Sequence, residues 1–241
     1  MLPMRCVLST NSTLRIDARE APRRTAQQAP AIFAPMSAPP KTVISVSPEE
    51  AASIRHAVRV ADVRKISSAC VKASQSHIEG LFELLSDPLV SGPIYDLPRP
   101  ITIESVADWV HDAQIKHERG ECILAVTPDI DGRLFTYSRF TIWPECASAE
   151  IAGAYRADAQ NAGLGKAGAA NSFNWMFSEL GVQLICVTAA IDNLRSARVI
   201  EAAGFTPMGE RHGLRPDGSM RQSSYWEMTR DQWTELRGCS G

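Results

Sequence analysis

The residues whose types and spacing suit chemistry gather between positions 150 and 205. From Gln160 to Gly168 the chain runs Gln-Asn-Ala-Gly-Leu-Gly-Lys-Ala-Gly. This Gly-rich turn lies between a strand-like and a helix-like stretch, where unpaired N–H groups and the positive end of a helix dipole make an anion site. Three phosphate-binding patterns compete for it. A P-loop needs Gly at the first position and a hydroxyl after the lysine, and the chain has Gln160 and Ala167 there. Gly163-x-Gly165-x-x-Gly168 matches the dinucleotide fingerprint, with Asp192 after the next strand, and on that pattern the protein would be an NAD-dependent oxidoreductase. That fingerprint normally follows its strand directly within a parallel sheet, whereas here several residues separate Arg156 from Gly163 and the preceding strands look antiparallel. The third pattern adds Asn193-x-x-Ser196-x-x-Val199 and Gly204-Phe205 further along.

Proton transfer calls for a carboxylate or imidazole near this turn. Glu150 starts the strand that leads into it, and Glu210 and His212 follow the Gly204-Phe205 pair. The six cysteines form no C-x-x-C pair, and the five histidines form no H-E-x-x-H. No metal site is expected, nor a covalent acyl-enzyme on cysteine.

The elements that must position these groups follow from hydrophobic spacing. Ser47-Pro-Glu-Glu is a helix start, although the place of the first strand between residues 42 and 66 stays open. Ile78, Leu81, Phe82 and Leu85 recur at helical spacing, as do Val106, Trp109, Val110 and Ala113. Residues 122–127 and 133–142, joined through Asp131-Gly132, predict a hairpin, and residues 149–156 predict a third strand beside it. A helix with Ala169, Phe173, Met176 and Leu180 on one face leads to a strand over 183–189. Asp192 or Asn193 caps the next helix, which ends at Gly204. Strands over 205–211 and 221–229 flank a Pro216-Asp217-Gly218 turn. The order ααβββαβαββ predicts a mixed α/β fold with a mostly antiparallel twisted sheet and flanking helices.

Composition sets the outer bounds. The chain has 241 residues, 44% hydrophobic and 22% charged, with a formal charge of −2. Neither a membrane span nor a general nucleic-acid surface is implied. Residues 1–40 hold six of the fifteen prolines, five arginines, no lysine and two acids, a net +3 that leaves −5 for the remainder. Such a segment buries too little apolar area to order itself, so residues 1–40 are expected to be a disordered or processed leader and 41–241 one domain. The leader is either an organelle transit peptide or the product of a start site upstream of Met36. It has no apolar core of a secretory signal, and the location expected is the cytoplasm.

Taken together, Gln160-x-x-Gly163-x-Gly165-x-Ala167, Asn193-x-x-Ser196-x-x-Val199 and Gly204-Phe205 resemble the acyl-CoA N-acetyltransferases of the GNAT superfamily. The Leu-Ser-Asp-Pro run ending at Pro88, the Ala149-Glu150-Ile151 strand start and Ser196 resemble, more narrowly, the branch that acetylates N-terminal alanine or serine of ribosomal proteins. The resemblance covers roughly residues 60–230 and implies a splayed strand pair with acetyl-CoA as co-substrate. It implies that Tyr155, Arg156 and Ala157 contact the pantetheine, and that Gln160, Ala162, Gly163, Leu164, Gly165, Lys166 and Ala167 surround the pyrophosphate. Asn193 would make a polar contact to CoA, and Ser196 would lie near the thioester sulfur as a hydrogen-bond donor to the departing thiolate; Glu150, at the strand start, is the general base expected, directly or through water.

Two positions depart from the family pattern. Ile200 stands where many members carry an acid tyrosine, and Ala169 where closer relatives often carry Glu. A CoA thiol of pKa about 8.5 is a tolerable leaving group without a strong acid. The expected reaction is direct attack of a primary amine, on a protein N-terminus or a small molecule, within a ternary complex. An α-amine of pKa about 8 needs far weaker base machinery than a lysine at about 10.4. A non-catalytic acyl-CoA-binding sensor is the alternative. The partners expected are acetyl-CoA and the amine, with no nucleic acid or membrane, in a monomer or homodimer.

Overall fold

The computed structural model describes residues 39–160, 164–215 and 218–238. Most of the leader expected over residues 1–40 therefore lies outside the described residues, as do Pro216 and Asp217 of the expected turn.

Helix α1 (Pro48–Val60) starts at a Ser47–Glu50 capping box and buries Ala51, Ile54 and Val58. Such a cap contributes about 1 kcal/mol. The first strand, β1 (Val71–Lys72), is two residues long and falls after the 42–66 interval in which it was sought. Helices α2 (Ile78–Ser86), α3 (Pro88–Ser91) and α4 (Ile103–Glu118) follow. Next come β2 (Cys122–Pro128), β3 (Leu134–Trp143) and β4 (Ser148–Tyr155), the expected meander. The chain continues through α5 (Leu164–Glu179), β5 (Leu184–Ala190), α6 (Leu194–Ala202), β6 (Thr206–Leu214), β7 (Met220–Thr229) and α7 (Arg230–Gly238). Gly204 closes α6 at φ 87°, the left-handed conformation expected of it. Helix α7 was not anticipated; its Trp233 packs on Phe173 and Phe177.

The seven strands are ordered β1-β2-β3-β4-β5-β7-β6. Every neighbouring pair is antiparallel except β4 and β5. That parallel pair is joined at three positions only, Ser148↔Leu184, Ala149↔Ile185 and Glu150↔Cys186. Beyond them β4 stays with β3 as far as Tyr155, and β5 stays with β7 as far as Ala190. The sheet therefore splits into a V that opens directly after Glu150.

Strand alternation sorts the two faces. On one face Ala149, Ile185, Val187, Trp226 and Met228 pack against Phe173, Trp175, Met176 and Phe177 of α5. On the other, Cys122, Leu124, Val126 and Tyr137 pack against Leu81, Leu85, Trp109 and Val110 of α2 and α4. This second face turns polar beyond β3. Glu150, Thr188, Ser223, Tyr225, Glu227 and Arg211 take the positions that would otherwise extend the core.

Candidate active site

The V is where β4 and β5 stop bonding to each other. The Arg156 N–H donates to the Phe135 carbonyl at 2.9 Å. By alternation the Ile151 carbonyl and the backbone groups of Gly153 then face the gap, where β5 has already turned away. A peptide-like chain lying in the gap would satisfy them. Because β4 and β5 are parallel, α5 and α6 both begin at the open end of the V. Free N–H groups and the positive end of the dipole at a helix start suit an anion.

Two details shape that end. Gly168 packs against Tyr155 so closely that a Cβ would overlap the tyrosine hydroxyl. The third glycine of the apparent dinucleotide fingerprint thus serves helix–strand packing. Gln160 donates from Nε2 to the Tyr155 carbonyl at 3.0 Å and accepts from Arg195 Nη2 at 2.9 Å. This clasp ties the tip of β4 to the first turn of α6 across the mouth of the V.

The residues expected around acetyl-CoA are distributed as follows. Tyr155 is half-buried, and Ala157 sits in a short 3-10 turn. Arg156 is held by Asp129 at 2.7 Å and Asp158 at 2.8 Å, so its guanidinium braces the turn and only its backbone borders the site. Gly165, Lys166 and Ala167 lie in the first turn of α5; a Cβ on Gly165 would meet nothing within 4 Å, and Lys166 is exposed. Leu164 opens that helix, while Ala162 and Gly163 lie outside the described residues. Asn193 caps α6 by accepting from the Ser196 N–H at 3.2 Å, which places Ser196 in the same first turn.

Glu150 sits at the apex of the V, the last rung shared by β4 and β5, and is 5% exposed. The Tyr95 hydroxyl lies 3.4 and 3.5 Å from its two oxygens, and Thr188 Oγ1 donates to Oε1 at 3.4 Å. Burial, reinforced by the nearby charge of Asp96, pushes its pKa up to about 8, against the opposing pull of Arg211, Thr188 and Tyr95. A carboxyl poised near neutral pH is suited to taking and returning a proton. The two rivals lie elsewhere: Glu210 and His212 are exposed, and Glu210 accepts from Gln222 at 2.6 Å. Cys186 faces Glu150 across the rung, but burial and then the Glu150 charge lift its thiol well above the ordinary range, which keeps it unreactive.

Several residues around Glu150 had no sequence motif to mark them. Tyr95 and Asp96 come from the loop between α3 and α4. Asp96 is buried and paired with Arg139 at 3.7 Å. Arg211 stacks on Tyr225 with its guanidinium carbon 3.9 Å from the ring centroid, and donates to the Pro39 carbonyl at 2.7 Å. Tyr225 donates to Glu227, which also accepts from the Lys41 and Thr42 N–H groups at 2.8 and 3.1 Å. The available signal was alternation along β7. Arg221, Ser223, Tyr225 and Glu227 recur every second residue opposite Trp226 and Met228, a polar series on a strand whose other side is core. Trp109, by contrast, packs edge-on against Tyr137 at 5.7 Å and belongs to the core.

Among the described residues no group of three His, Cys, Asp or Glu is arranged to hold a metal, and no helix is long and apolar enough to cross a membrane. A splayed parallel pair with a buried carboxyl at its apex and two helix starts at its mouth is the architecture of an acyltransferase. The chain belongs to the GNAT acetyltransferases: the family described as "Acetyltransferase (GNAT) domain" matches residues 71–206, more than half of the sequence. No protein of curated function matches it in sequence.

Solved structures share the fold. The ribosomal-protein-S5-alanine acetyltransferase of Vibrio fischeri superposes with a TM-score of 0.58 at 14% identity, over 68% of this chain and 93% of that one. RimJ of Mycobacterium smegmatis, in complex with CoA-disulfide, gives 0.57 at 15%, over 68% and 82%. RimL, a ribosomal L7/L12 alpha-N-protein acetyltransferase in complex with coenzyme A, gives 0.57 at 17%, over 69% and 97%.

Proposed function

We propose that the protein moves the acetyl group of acetyl-CoA onto a primary amine, with Glu150 as general base. The observation that carries this reading is the placement of Glu150: buried, at the apex of the V, with a pKa of about 8. The β4 backbone groups that face the gap fit the amides of a pantetheine arm, and the α5 start fits a pyrophosphate. Acetyl-CoA supplies an activated thioester.

The residues of the chain do the rest. The edge of β4 and the first turns of α5 and α6 hold the donor so that its carbonyl carbon meets the amine. Glu150 takes the proton that the amine must lose. A C–N bond forms, the C–S bond breaks, and the departing thiolate receives a hydrogen bond from Ser196 and then a proton. Binding both reactants in register supplies much of the acceleration. Ile200 lies in the core beside Phe205 and has no proton to give, and we take Ser196 as the donor on α6. The bound CoA in RimJ and RimL supports the same donor. We read the protein as acting in the cytoplasm, as a monomer or homodimer.

The test is thermal stabilisation by acetyl-CoA, CoA and NAD at matched concentrations, followed by thiol release with an amine panel. Stabilisation by the CoA compounds alone together with amine-dependent thiol release is the expected result. Stabilisation by NAD alone refutes the reading, and CoA binding without thiol release for any amine identifies a sensor.

A further inference from the structure

The polar face around Glu150 contains a second buried charge, of opposite sign, that the transfer reaction does not use. Arg221 is 7% exposed, and its Nε has no hydrogen-bond partner. Among the described residues no ion pair involves it. It stands on β7 opposite Gly213 of β6, in the alternating series that also presents Ser223, Tyr225 and Glu227. Its guanidinium carbon lies 5.1 Å from the centroid of the Tyr95 ring, whose hydroxyl reaches Glu150. Tyr95 is pressed against Gly213, where a Cβ would come within 3.3 Å of the ring. One aromatic ring therefore has the buried carboxyl at its hydroxyl end and the buried guanidinium beside it.

Leaving a guanidinium buried and unpaired is costly, and structures retain such a group where something else completes it. The acids within electrostatic reach are Asp96, which is already paired with Arg139, and Glu150, and neither forms an ion pair with Arg221. Arg215 adds a like charge nearby. The site thus has a guanidinium without an ion pair beside the Tyr95 ring and a proton acceptor at its hydroxyl. Tyr95 and Thr188 are only half-buried, so the pair can be approached from their side.

Resting on the transferase reading, we propose that the acceptor is an amine bearing its own anionic group, which Arg221 receives while the amine meets Glu150. The planar fork of Arg221 suits a carboxylate, bound bidentately. Two sources share this chemistry: the α-carboxylate of a free amino acid, and an acidic side chain close to a peptide's N-terminus.

The experiment compares matched acceptors by thiol release. One series pairs free amino acids with their amides, and the other pairs peptide amides carrying Asp or Asn at the second position. The wild-type protein is expected to favour the anionic member of one series by at least about tenfold in kcat/KM, chiefly through KM. Arg221→Gln is expected to reduce that preference to within about threefold, and Arg221→Lys to retain part of it. Removing an unpaired buried charge should leave the fold at least as stable, which thermal melting checks. Equal turnover of acidic and neutral acceptors refutes the inference and leaves the transferase reading standing, as does a preference that survives Arg221→Gln. If no acceptor releases thiol, thermal stabilisation by the anionic members that is lost in Arg221→Gln sustains the anion site and refutes the transferase. Equal stabilisation by both members refutes the anion site.

Discussion

Replacing Glu150 by Gln tests the reaction and the electrostatics together. The amide keeps the shape and can still bond Tyr95 and Thr188, but it carries no charge and accepts no proton. With a pKa of about 8, roughly a quarter of the carboxyl is ionised at pH 7.5 and about a hundredth at pH 6. An α-amine acceptor titrates over the same range, so log kcat/KM for the wild type should approach a slope of two below pH 7, one unit for each group. Glu150→Gln should fall to a slope of one and lose about 10²- to 10⁴-fold in rate.

Stability should move the other way. The folded protein holds a proton that the unfolded chain releases above 4.5, so raising the pH from there penalises folding until about pH 8, where the penalty is complete. From 4.5 to about 8, at about 1.36 kcal/mol per pH unit, that penalty is at most roughly 5 kcal/mol. Glu150→Gln should therefore melt higher than the wild type, with a gap that is small at pH 5 and widest at pH 9. Denaturant titrations at those two values measure it. A variant within tenfold of wild-type rate that keeps the slope of two, or a stability gap independent of pH, would refute this account of Glu150.

Three other substitutions check the surroundings. Gly168→Ala drives a Cβ into the Tyr155 hydroxyl and should cost about 1–3 kcal/mol by thermal melting, with much of it recovered in the Gly168→Ala/Tyr155→Phe double variant. Restoring the family's tyrosine by Ile200→Tyr should also cost about 1–3 kcal/mol, because position 200 is 7% exposed and packed in the core; its thiol-release rate should not rise. Ser196→Ala should lower kcat by about tenfold with KM for acetyl-CoA little changed, the sign of a bond made mainly in the transition state.

The regions most legible in the sequence were those where local rules and tertiary demands agree. The meander, the Asn193 cap and the Gly204 stop all lie where they were expected, because each is set by residues within a few positions. β1 escaped notice because two residues carry no alternation. α7 escaped because its contribution to the core is essentially one residue, Trp233. In the site, Glu150 was visible from its place at the head of a strand. Tyr95, Asp96 and Arg221 were not, since they meet only when the α3–α4 loop folds over the β6–β7 hairpin, a contact between segments more than 100 residues apart. Gly168 was legible as a glycine but not for its reason: the fingerprint suggested phosphate, and the structure shows a tyrosine.

The three rungs between β4 and β5 also set how the molecule comes apart. A sheet is held across its width by its ladders, and here the ladder at the centre is the shortest of those between long strands. The half ending in β4 and the half beginning with β5 are thus two leaves on a brief hinge, latched at the far end by Gln160 and Arg195. A donor lying between them would supply the missing rungs, so its binding should slow amide exchange along both leaves at once, including residues that never touch it. The V is thus where the sheet itself is least knit together.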